Sequence, residues 1–175
     1  MDPHADTFDA MAEAHRPRIY RAACLLLDDP HEAEDVTQQV FVEAWRGWGR
    51  FEGRSDAFTW LYTILRRTCG HHRRRAWWRL FRPAVAAPEE ALADLPAPDP
   101  SPLASASARE ESRAVRALLG ALSPGLREVL VLRYVESYSV PEIAKALAVP
   151  EGTVKSRLHY ALQIAAKLWH KENKP

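Results

Sequence analysis

The residues best suited to chemistry lie close together near the end of the chain, on one side of a predicted helix. They are Lys155, Ser156, Arg157 and His159. Lysine and arginine donate hydrogen bonds to the acceptors of guanine, and serine bonds either a base or a phosphate. Arg157 can equally hold a phosphate, a contact that carries no sequence information. This pattern predicts contact with the edges of DNA bases.

The segment from residue 139 to residue 168 is predicted to form two short helices joined by a tight turn, and these helices position the basic residues. Ser139 and Glu142 have the spacing of a capping box, which satisfies amides at the start of the first helix. Pro150 suits the first turn of the second helix, where no amide hydrogen is needed. The apolar stripes contain Ile143, Ala144 and Leu147, then Val154, Leu158, Ala161 and Leu162. The unit is typical of a DNA-binding helix-turn-helix, and the alternative is an ordinary helical hairpin with a solvated basic face.

Positive charge is concentrated in the middle of the chain, although the net charge of the 175 residues is only +1. The basic stretch contains Arg66, Arg67, Arg73, Arg74, Arg75, Arg79 and Arg82, with His71 and His72 among them. Acidic residues lie on either side of it: Glu32, Glu34, Asp35 and Glu43 before, and Glu89, Glu90, Asp94 and Asp99 after. A nearly neutral total therefore hides segregated surfaces, and the distribution is more informative than the sum.

The first part of the chain, from Phe8 to about Arg82, is predicted to be helical. The apolar residues of the first helix recur at three- and four-residue steps: Phe8, Met11, His15, Ile19, Ala22 and Leu26. Asp29 can cap a second helix that has Pro30 at its first position. The inward side of that helix contains Ala33, Val36, Val40 and Ala44. A third helix is expected from about Asp56, with Trp60 packed in the core or, as the alternative, serving as a platform on which an unpaired base stacks.

Composition divides the chain into two domains and a linker. Residues 83–107 contain six prolines among alanines, serines and acids, a composition that predicts a flexible, extended linker. No alternating strand pattern persists anywhere in the sequence. We therefore predict an all-α protein with two small helical domains, 1–82 and 108–175, joined by the Pro/Ala-rich linker 83–107. The second domain ends in the helix-turn-helix.

Taken together, these segments resemble the extracytoplasmic-function sigma factors of the bacterial sigma-seventy superfamily. AEDVTQQVFVEAW, from Ala33 to Trp45, is similar to the second conserved region of the family, and FTWLYTILRR follows it from Phe58. LSPGLREVLVLRYVESYSVPEIAKALAVPEGTVKSRL is similar to the fourth conserved region. The resemblance covers nearly the whole chain except the linker. It implies a protein that binds core RNA polymerase and directs it to promoter DNA.

The resemblance also implies a role for each basic or acidic surface. Core polymerase would bind an acidic-polar helix face formed by Glu34, Asp35, Gln38 and Glu43. The minus-ten element and its melted strand would contact Arg66, Arg67, Arg73, Arg74 and Arg75. The minus-thirty-five element would contact Thr153, Lys155, Ser156, Arg157, His159 and Tyr160. An anti-sigma factor that clamps the two domains is the further partner that the family implies.

Several classes of protein are disfavoured by the residues that the sequence lacks. Cys24 and Cys69 have no metal-ligand spacing and are expected to be structural. His31 and Glu32 begin like a zinc-peptidase motif, but Asp35 stands where its second histidine is needed. We expect no metal, no cofactor, no small-molecule substrate and no enzymatic activity. With neither a signal peptide nor a membrane-spanning run, a cytoplasmic protein without membrane insertion is expected.

Two rival functions remain compatible with the sequence. One is a free-standing helix-turn-helix regulator, whose first domain would be a sensor or a dimerisation module. The other is a sigma mimic that sequesters an anti-sigma factor. Such a mimic would need no basic promoter-reading surface, whereas this sequence has one. Association with core polymerase distinguishes a sigma factor from both.

Overall fold

The computed structural model of the chain describes residues 3–27, 29–53, 55–81 and 106–172. Within these ranges the protein is all-α, as predicted from the sequence. The helices are α1 Pro3–Leu26, α2 Pro30–Gly47, α3 Ala57–Phe81, α4 Ala106–Gly120, α5 Pro124–Leu130, α6 Val140–Leu147 and α7 Glu151–Glu172. A 3-10 turn, Trp48–Arg50, follows α2, and a π-helical turn, Val131–Val135, extends α5. Most of the predicted linker, residues 83–107, lies outside the described residues, and Ala106 and Ser107 belong to α4.

The first domain consists of α1, α2 and α3, which pack around one apolar core. Asp29 caps α2 as predicted, because its carboxylate accepts a hydrogen bond of 2.8 Å from the His31 amide. Asp56 caps α3 in the same way, with its Oδ1 atom 2.9 Å from the Thr59 amide. The fully buried side chains include Ile19, Leu26, Val36, Val40, Phe58, Leu61, Tyr62 and Leu65. Local capping thus sets where each helix begins, and the apolar stripes bring the three helices together.

An aromatic cluster closes one end of the first domain, between α2 and α3. The ring of Phe51 stacks on Trp60 at 4.6 Å and on Trp48 at 5.4 Å, measured between ring centroids. Phe8 of α1 meets Trp48 edge-on at 5.5 Å. Gly53 has φ of +66°, a left-handed conformation that glycine adopts without strain, and it turns the chain back towards α3. Trp60 is half-buried in this cluster, which is consistent with its expected packing role.

The second domain consists of α4 to α7 and contains the predicted helix-turn-helix. The capping box is present, since the Ser139 amide donates to Glu142 at 2.7 Å and the Glu142 amide donates to Ser139 at 3.4 Å. The stripe residues Ile143, Leu147, Val154 and Ala161 are buried. Leu162 is 45% exposed, so its predicted place in the stripe is wrong. It follows Leu158 by four residues, but Val154, Leu158 and Ala161 already fill the contact with α5 and α6.

The turn between α6 and α7 contains an unusual backbone conformation. Ala148 ends α6 with φ of +53° and ψ of 47°, which is left-handed. The amide of the next residue, Val149, donates to the Ala144 carbonyl at 3.0 Å and so satisfies the end of α6. A left-handed residue with a Cβ atom costs roughly 1–2 kcal/mol. The tight turn is therefore maintained at a local energetic cost.

This strain predicts the sign of two matched substitutions. Ala148→Gly is expected to stabilise the protein by about 0.5–1 kcal/mol, because glycine adopts the left-handed conformation without steric cost. Ala166→Gly, at an exposed position inside α7, is expected to destabilise by about the same amount. Urea unfolding followed by far-ultraviolet circular dichroism measures both. Two changes of equal sign would contradict the strain at Ala148.

Candidate nucleic-acid and protein interfaces

The helix α7 presents a polar surface, the reading face, formed by Lys155, Ser156, His159, Tyr160 and Gln163. All five side chains are exposed, and steps of three and four residues keep them on one side of the helix. Gln163 lies 3.0 Å from the Nε2 atom of His159. Tyr160 is 58% exposed and meets the His159 ring edge-on. Gln163 was not predicted from the sequence, although it follows His159 by one helical turn.

Two residues predicted for this surface do not lie on it. The Arg157 guanidinium packs over the backbone of α5 at Gly125. A Cβ atom built on Gly125 would lie 3.5 Å from the Arg157 Cζ atom. Arg157 and Lys155 are two residues apart, and such residues do not face the same side of a helix. Thr153 is half-buried, and its carbonyl accepts a hydrogen bond of 3.0 Å from Ser156. The expectation that Arg157 shares a side with Lys155 is therefore wrong.

The arginines of α3 form two rows, because residues three and four apart align along a helix. One row runs through Thr59, Tyr62 and Arg66 and faces the second domain. There the Arg66 Nε atom lies 3.2 Å from Glu128 Oε2, and its Nη1 atom donates to the Leu147 carbonyl at 3.4 Å. This row is occupied by contacts within the protein.

The second row of α3 faces solvent and contains Arg67 and Arg74. Arg67 forms an ion pair with Glu43 of α2, yet its side chain remains 61% exposed. Arg74 is exposed and lies 3.1 Å from the Nδ1 atom of His71. Arg73 lines a cleft of about 650 Å³ between α3 and the second domain, together with the other described arginines of this helix. The side chain of Arg75 lies outside the described part of the structure.

The predicted acidic face of α2 is only partly present. Glu34, Asp35 and Gln38 are exposed, as expected for a docking surface. Glu43 points towards α3, where it is hydrogen-bonded by Gln39 at 3.3 Å and paired with Arg67. Burial raises the pKa of the Glu43 carboxyl group, but the hydrogen bonds from Gln39 and Arg67 outweigh burial, so the net shift is downward. Glu43 therefore does not share a face with the other three residues.

Apolar residues that the sequence reading missed complete this face of α2. Val42 and Trp45 are 45% and 48% exposed, and they follow Gln38 by four and seven residues. We define the docking face as Glu34, Asp35, Gln38, Val42 and Trp45. Their spacing was visible in the sequence, because neither apolar residue belongs to the buried stripe of α2. A polar rim beside exposed apolar side chains is typical of a protein-binding surface.

The described residues carry little that suggests chemistry on small molecules. Among them no group of histidine, cysteine and acidic residues could hold a metal ion. Burial raises the pKa of the Cys69 thiol to about 12 and also raises that of Cys24, so neither is a thiolate at neutral pH. Of the helices that the structure describes, none combines the length and apolar character of a membrane span.

Comparisons with known proteins agree with the two-domain organisation. Residues 11–79 match the family description "Sigma-70 region 2", and residues 112–164 match "Sigma-70, region 4". The chain is 32% identical over 168 residues to the RNA polymerase sigma-H factor of Pseudomonas aeruginosa, covering 91% of this chain and 84% of that protein. It is 29% identical over 157 residues to the ECF RNA polymerase sigma factor SigW of Bacillus subtilis, covering 88% and 84%.

Solved structures show the same fold. The sigma factor RpoE of Bartonella quintana, determined in complex with the anti-sigma factor NepR, has a TM-score of 0.73 and 23% identity, covering 97% of this chain and 99% of that one. CnrH, in complex with the cytosolic domain of CnrY, has a TM-score of 0.69 and 24% identity, covering 97% and 91%. The chain belongs to the extracytoplasmic-function RNA polymerase sigma factors of the sigma-70 family, which are non-enzymatic initiation factors that direct RNA polymerase to promoters.

Proposed function

We propose that promoter recognition uses three separate surfaces of the protein, each of which binds a different partner. The docking face of α2 binds core RNA polymerase, the arginines of α3 hold the minus-ten element, and the reading face of α7 reads the minus-thirty-five element. The observation that carries this proposal is that three exposed surfaces of different character lie on different helices, inside the segments that match regions 2 and 4. The α3 surface is basic and the reading face is polar, which suits DNA, whereas the docking face is acidic and apolar, which suits a protein.

The composition of the docking face supports a protein partner. Trp45 and Val42 supply apolar area, and tryptophan is among the residues that contribute most to binding energy at protein interfaces. Glu34 and Asp35 lie at the rim, where opposite charge on the partner speeds association and sets orientation. A basic helical surface of core polymerase is the complementary partner. Glu43 lies on the other side of α2 and holds Arg67, so it takes no part in this contact.

The arginines of α3 support binding to the DNA backbone. Each phosphate neutralised by an arginine releases counterions, which gives strong salt dependence but no base specificity. Arg67 and Arg74 face solvent and are accessible to phosphates in the described structure. All four arginines line the cleft against the second domain, and Arg66 and Arg73 are the less exposed members of the set. Arg75 remains a prediction from the sequence.

The reading face of α7 supports contact with base edges in the major groove. Lys155 can donate to guanine, and Gln163 can form the paired hydrogen bonds that adenine accepts and donates. Ser156, His159 and Tyr160 lie between them, so a contiguous polar surface extends over several turns. Arg157 packs on α5 and so stabilises the position of this helix. The Thr153 carbonyl accepts a hydrogen bond from the Ser156 hydroxyl. We assign neither of these two residues a base contact.

The family context supports two further proposals. RpoE was determined in complex with the anti-sigma factor NepR, and CnrH in complex with the cytosolic domain of CnrY. We propose that this chain also has an anti-sigma factor as a partner. Because its partner is the transcription machinery, we place it in the cytoplasm. The domain boundaries 1–82 and 108–175 are retained as proposals.

Reconstituted transcription tests the proposed function directly. Purified core polymerase, genomic DNA fragments and this protein should give discrete start sites, and core polymerase alone should not. Mapping those start sites should reveal shared upstream elements. A chain that binds a specific duplex tightly on its own but never stimulates core polymerase would instead be a free-standing regulator.

A charge placed on the docking face should weaken polymerase binding. Val42→Asp adds a carboxylate to an exposed position, so the fold should survive, and a charge desolvated without a partner is expected to weaken core affinity by about tenfold or more. Glu43→Gln is the matched control on the opposite side of α2 and should leave the affinity nearly unchanged. Titration of labelled protein with core polymerase measures both. Equal losses of affinity in the two variants would show that Glu43 belongs to the polymerase interface.

Substitutions on α7 should distinguish residues that contact bases from residues that stabilise the helix. Lys155→Ala is expected to lose roughly 1–3 kcal/mol of discrimination at one position of the minus-thirty-five element and to relax its sequence preference. Arg157→Ala should lower the thermal stability of the protein while keeping the same preferred bases. Transcription from promoters randomised in the upstream element gives the preference. A relaxed preference for Arg157→Ala alone would show that Arg157 reads DNA after all.

A further inference from the structure

Helix α1 packs beside the docking face of α2, and the two helices border a surface groove. The groove contains two clefts, of about 310 and 530 Å³. The smaller one is lined by Arg16, Pro17, Tyr20, Glu34 and Thr37. The larger one is lined by Arg16, Gln38, Phe41, Val42, Trp45 and Arg46. Because Arg16 lines both clefts, they meet at its side chain, and α1 contributes to the surface next to the docking face.

The side of α1 that borders the groove presents three kinds of chemistry. Arg16, Pro17 and Tyr20 share this side, since residues three and four apart align along a helix. Pro17 supplies an apolar ring, and Tyr20 is half-buried. Burial, together with a hydrogen bond with Cys24, raises the pKa of the Tyr20 phenol to about 12, so this group is neutral at neutral pH. Arg16 is therefore the charged group that α1 brings to the groove.

The Arg16 guanidinium is exposed, and no ion pair or hydrogen bond with another described residue involves it. Asp9 and Glu13, the acidic residues nearest to it along α1, line neither cleft. Arg46, in the last turn of α2, is likewise exposed and makes no ion pair with the described residues. A guanidinium donates five hydrogen bonds and accepts none. Two such groups at one apolar cleft favour a partner that supplies carboxylate oxygens.

Charge changes sign along the groove. Glu34 lines the smaller cleft near the start of α2, and Arg46 lines the larger cleft near its end. At 1.5 Å per residue, these two positions are about 18 Å apart along the helix. A partner that is basic throughout suits Glu34 and Asp35, but it meets like charge at Arg16 and Arg46, which disfavours binding. The complementary partner therefore carries both basic and acidic side chains.

The groove also supplies area that the docking face alone lacks. A stable protein interface buries about 800 Å² on each partner and involves about 20–30 residues a side, whereas the docking face has five. The larger cleft beside it is walled by Phe41, Val42 and Trp45, so it suits an apolar side chain. An amphipathic helix that lies along a groove places apolar side chains in it and charged ones at its edges. Since the groove is continuous with the docking face, one helix of core polymerase can occupy both.

We infer that Arg16 of α1 is a second anchor for core polymerase and pairs with a carboxylate on the same polymerase helix that offers basic side chains to Glu34 and Asp35. An apolar side chain of that helix fills the cleft beside Arg16. The basic and acidic side chains of the helix are separated by up to about 18 Å, or about three turns. The inference rests on the docking role proposed above for α2, and it adds α1 and a reversed charge to that role.

The direction of the change caused by Arg16→Gln distinguishes the two kinds of partner. Opposite a carboxylate, loss of the guanidinium should weaken core affinity by about tenfold. Opposite a surface that is basic throughout, loss of a repelled cation should instead strengthen binding. Titration of the labelled full-length protein with purified core RNA polymerase, without DNA, measures the affinity. Stronger or unchanged binding would overturn the inference.

Two further variants serve as controls for charge and position. Arg16→Lys keeps the positive charge, so it should retain most of the affinity that Arg16→Gln loses. Arg50→Gln removes an exposed arginine that lines a cleft on the other side of α2, with Glu43 and Arg67, and it should leave core affinity nearly unchanged. Circular dichroism checks that each variant is folded. An equal loss for Arg50→Gln would attribute the effect to net charge and reject an anchor at Arg16.

Photocrosslinking tests the placement of α1 without relying on affinity. With p-azidophenylalanine in place of Tyr20, an aromatic ring is kept in the smaller cleft, and irradiation should attach the protein to core polymerase. The same amino acid in place of Arg50 should give no such product. Mass spectrometry of the attached polymerase peptide should identify a segment with both acidic and basic side chains. No crosslink from the Tyr20 position, or a peptide without acidic residues, would contradict the inference.

These measurements separate the inference from the proposed function on which it rests. If the wild-type chain does not bind core polymerase, the proposed function is rejected. If Val42→Asp weakens binding and Arg16→Gln does not, the docking face of α2 is retained and only the role of α1 is rejected.

Discussion

The carboxylate of Glu136 is the group on which the arrangement of the two domains depends. It is almost fully buried, and both of its cationic partners, Arg18 and Arg21, belong to α1 of the other domain. A buried charge without partners costs several kcal/mol, so neither domain can satisfy this carboxylate alone unless water reaches it. In the described arrangement, Arg18 and Arg21 supply the positive charge that this buried carboxylate needs.

Helix α3 connects this contact to the rest of the molecule, because it serves three surfaces at once. Phe58, Leu61 and Leu65 are buried in the first domain. The row through Tyr62 and Arg66 meets the second domain, and the row through Arg67 and Arg74 faces solvent. A helix with so many constraints cannot be strongly amphipathic, and its polar residues divide between two neighbouring sides. Arg66 and Arg67, which were predicted together as contacts of the minus-ten element, therefore have partners on different sides of α3.

Much of the fold was predictable from the sequence because the signals are local. The capping box at Ser139 and the cap at Asp29 depend on residues within one helical turn, so spacing alone predicted both. The buried stripes of α2 and α6 followed from helical periodicity. The left-handed Ala148 was not predicted, because alanine carries no signal for that conformation. The contact between the domains depends on residues such as Arg18 and Glu136 that are 118 positions apart, and no local pattern reports such a pair.

The errors in the candidate site have a common physical cause. Arg157 and Glu43 were grouped with neighbours in sequence, whereas successive residues on a helix point about 100° apart. Arg157 therefore packs on α5, and Glu43 reaches across to Arg67. Val42 and Trp45 were missed because only acidic and polar residues were assigned to the polymerase contact. Position around the helix, more than residue type, decides which side chains a partner can reach.

The ionic character of the domain contact distinguishes it from an apolar interface. An apolar contact would lose its whole hydrophobic contribution on separation and would leave adhesive surface exposed to water. Arg66 instead forms an ion pair with the Glu128 carboxylate of the second domain, at 3.2 Å. A guanidinium bonds carboxylate and phosphate oxygens in the same way, so this ion pair occupies a side chain that we propose for DNA binding.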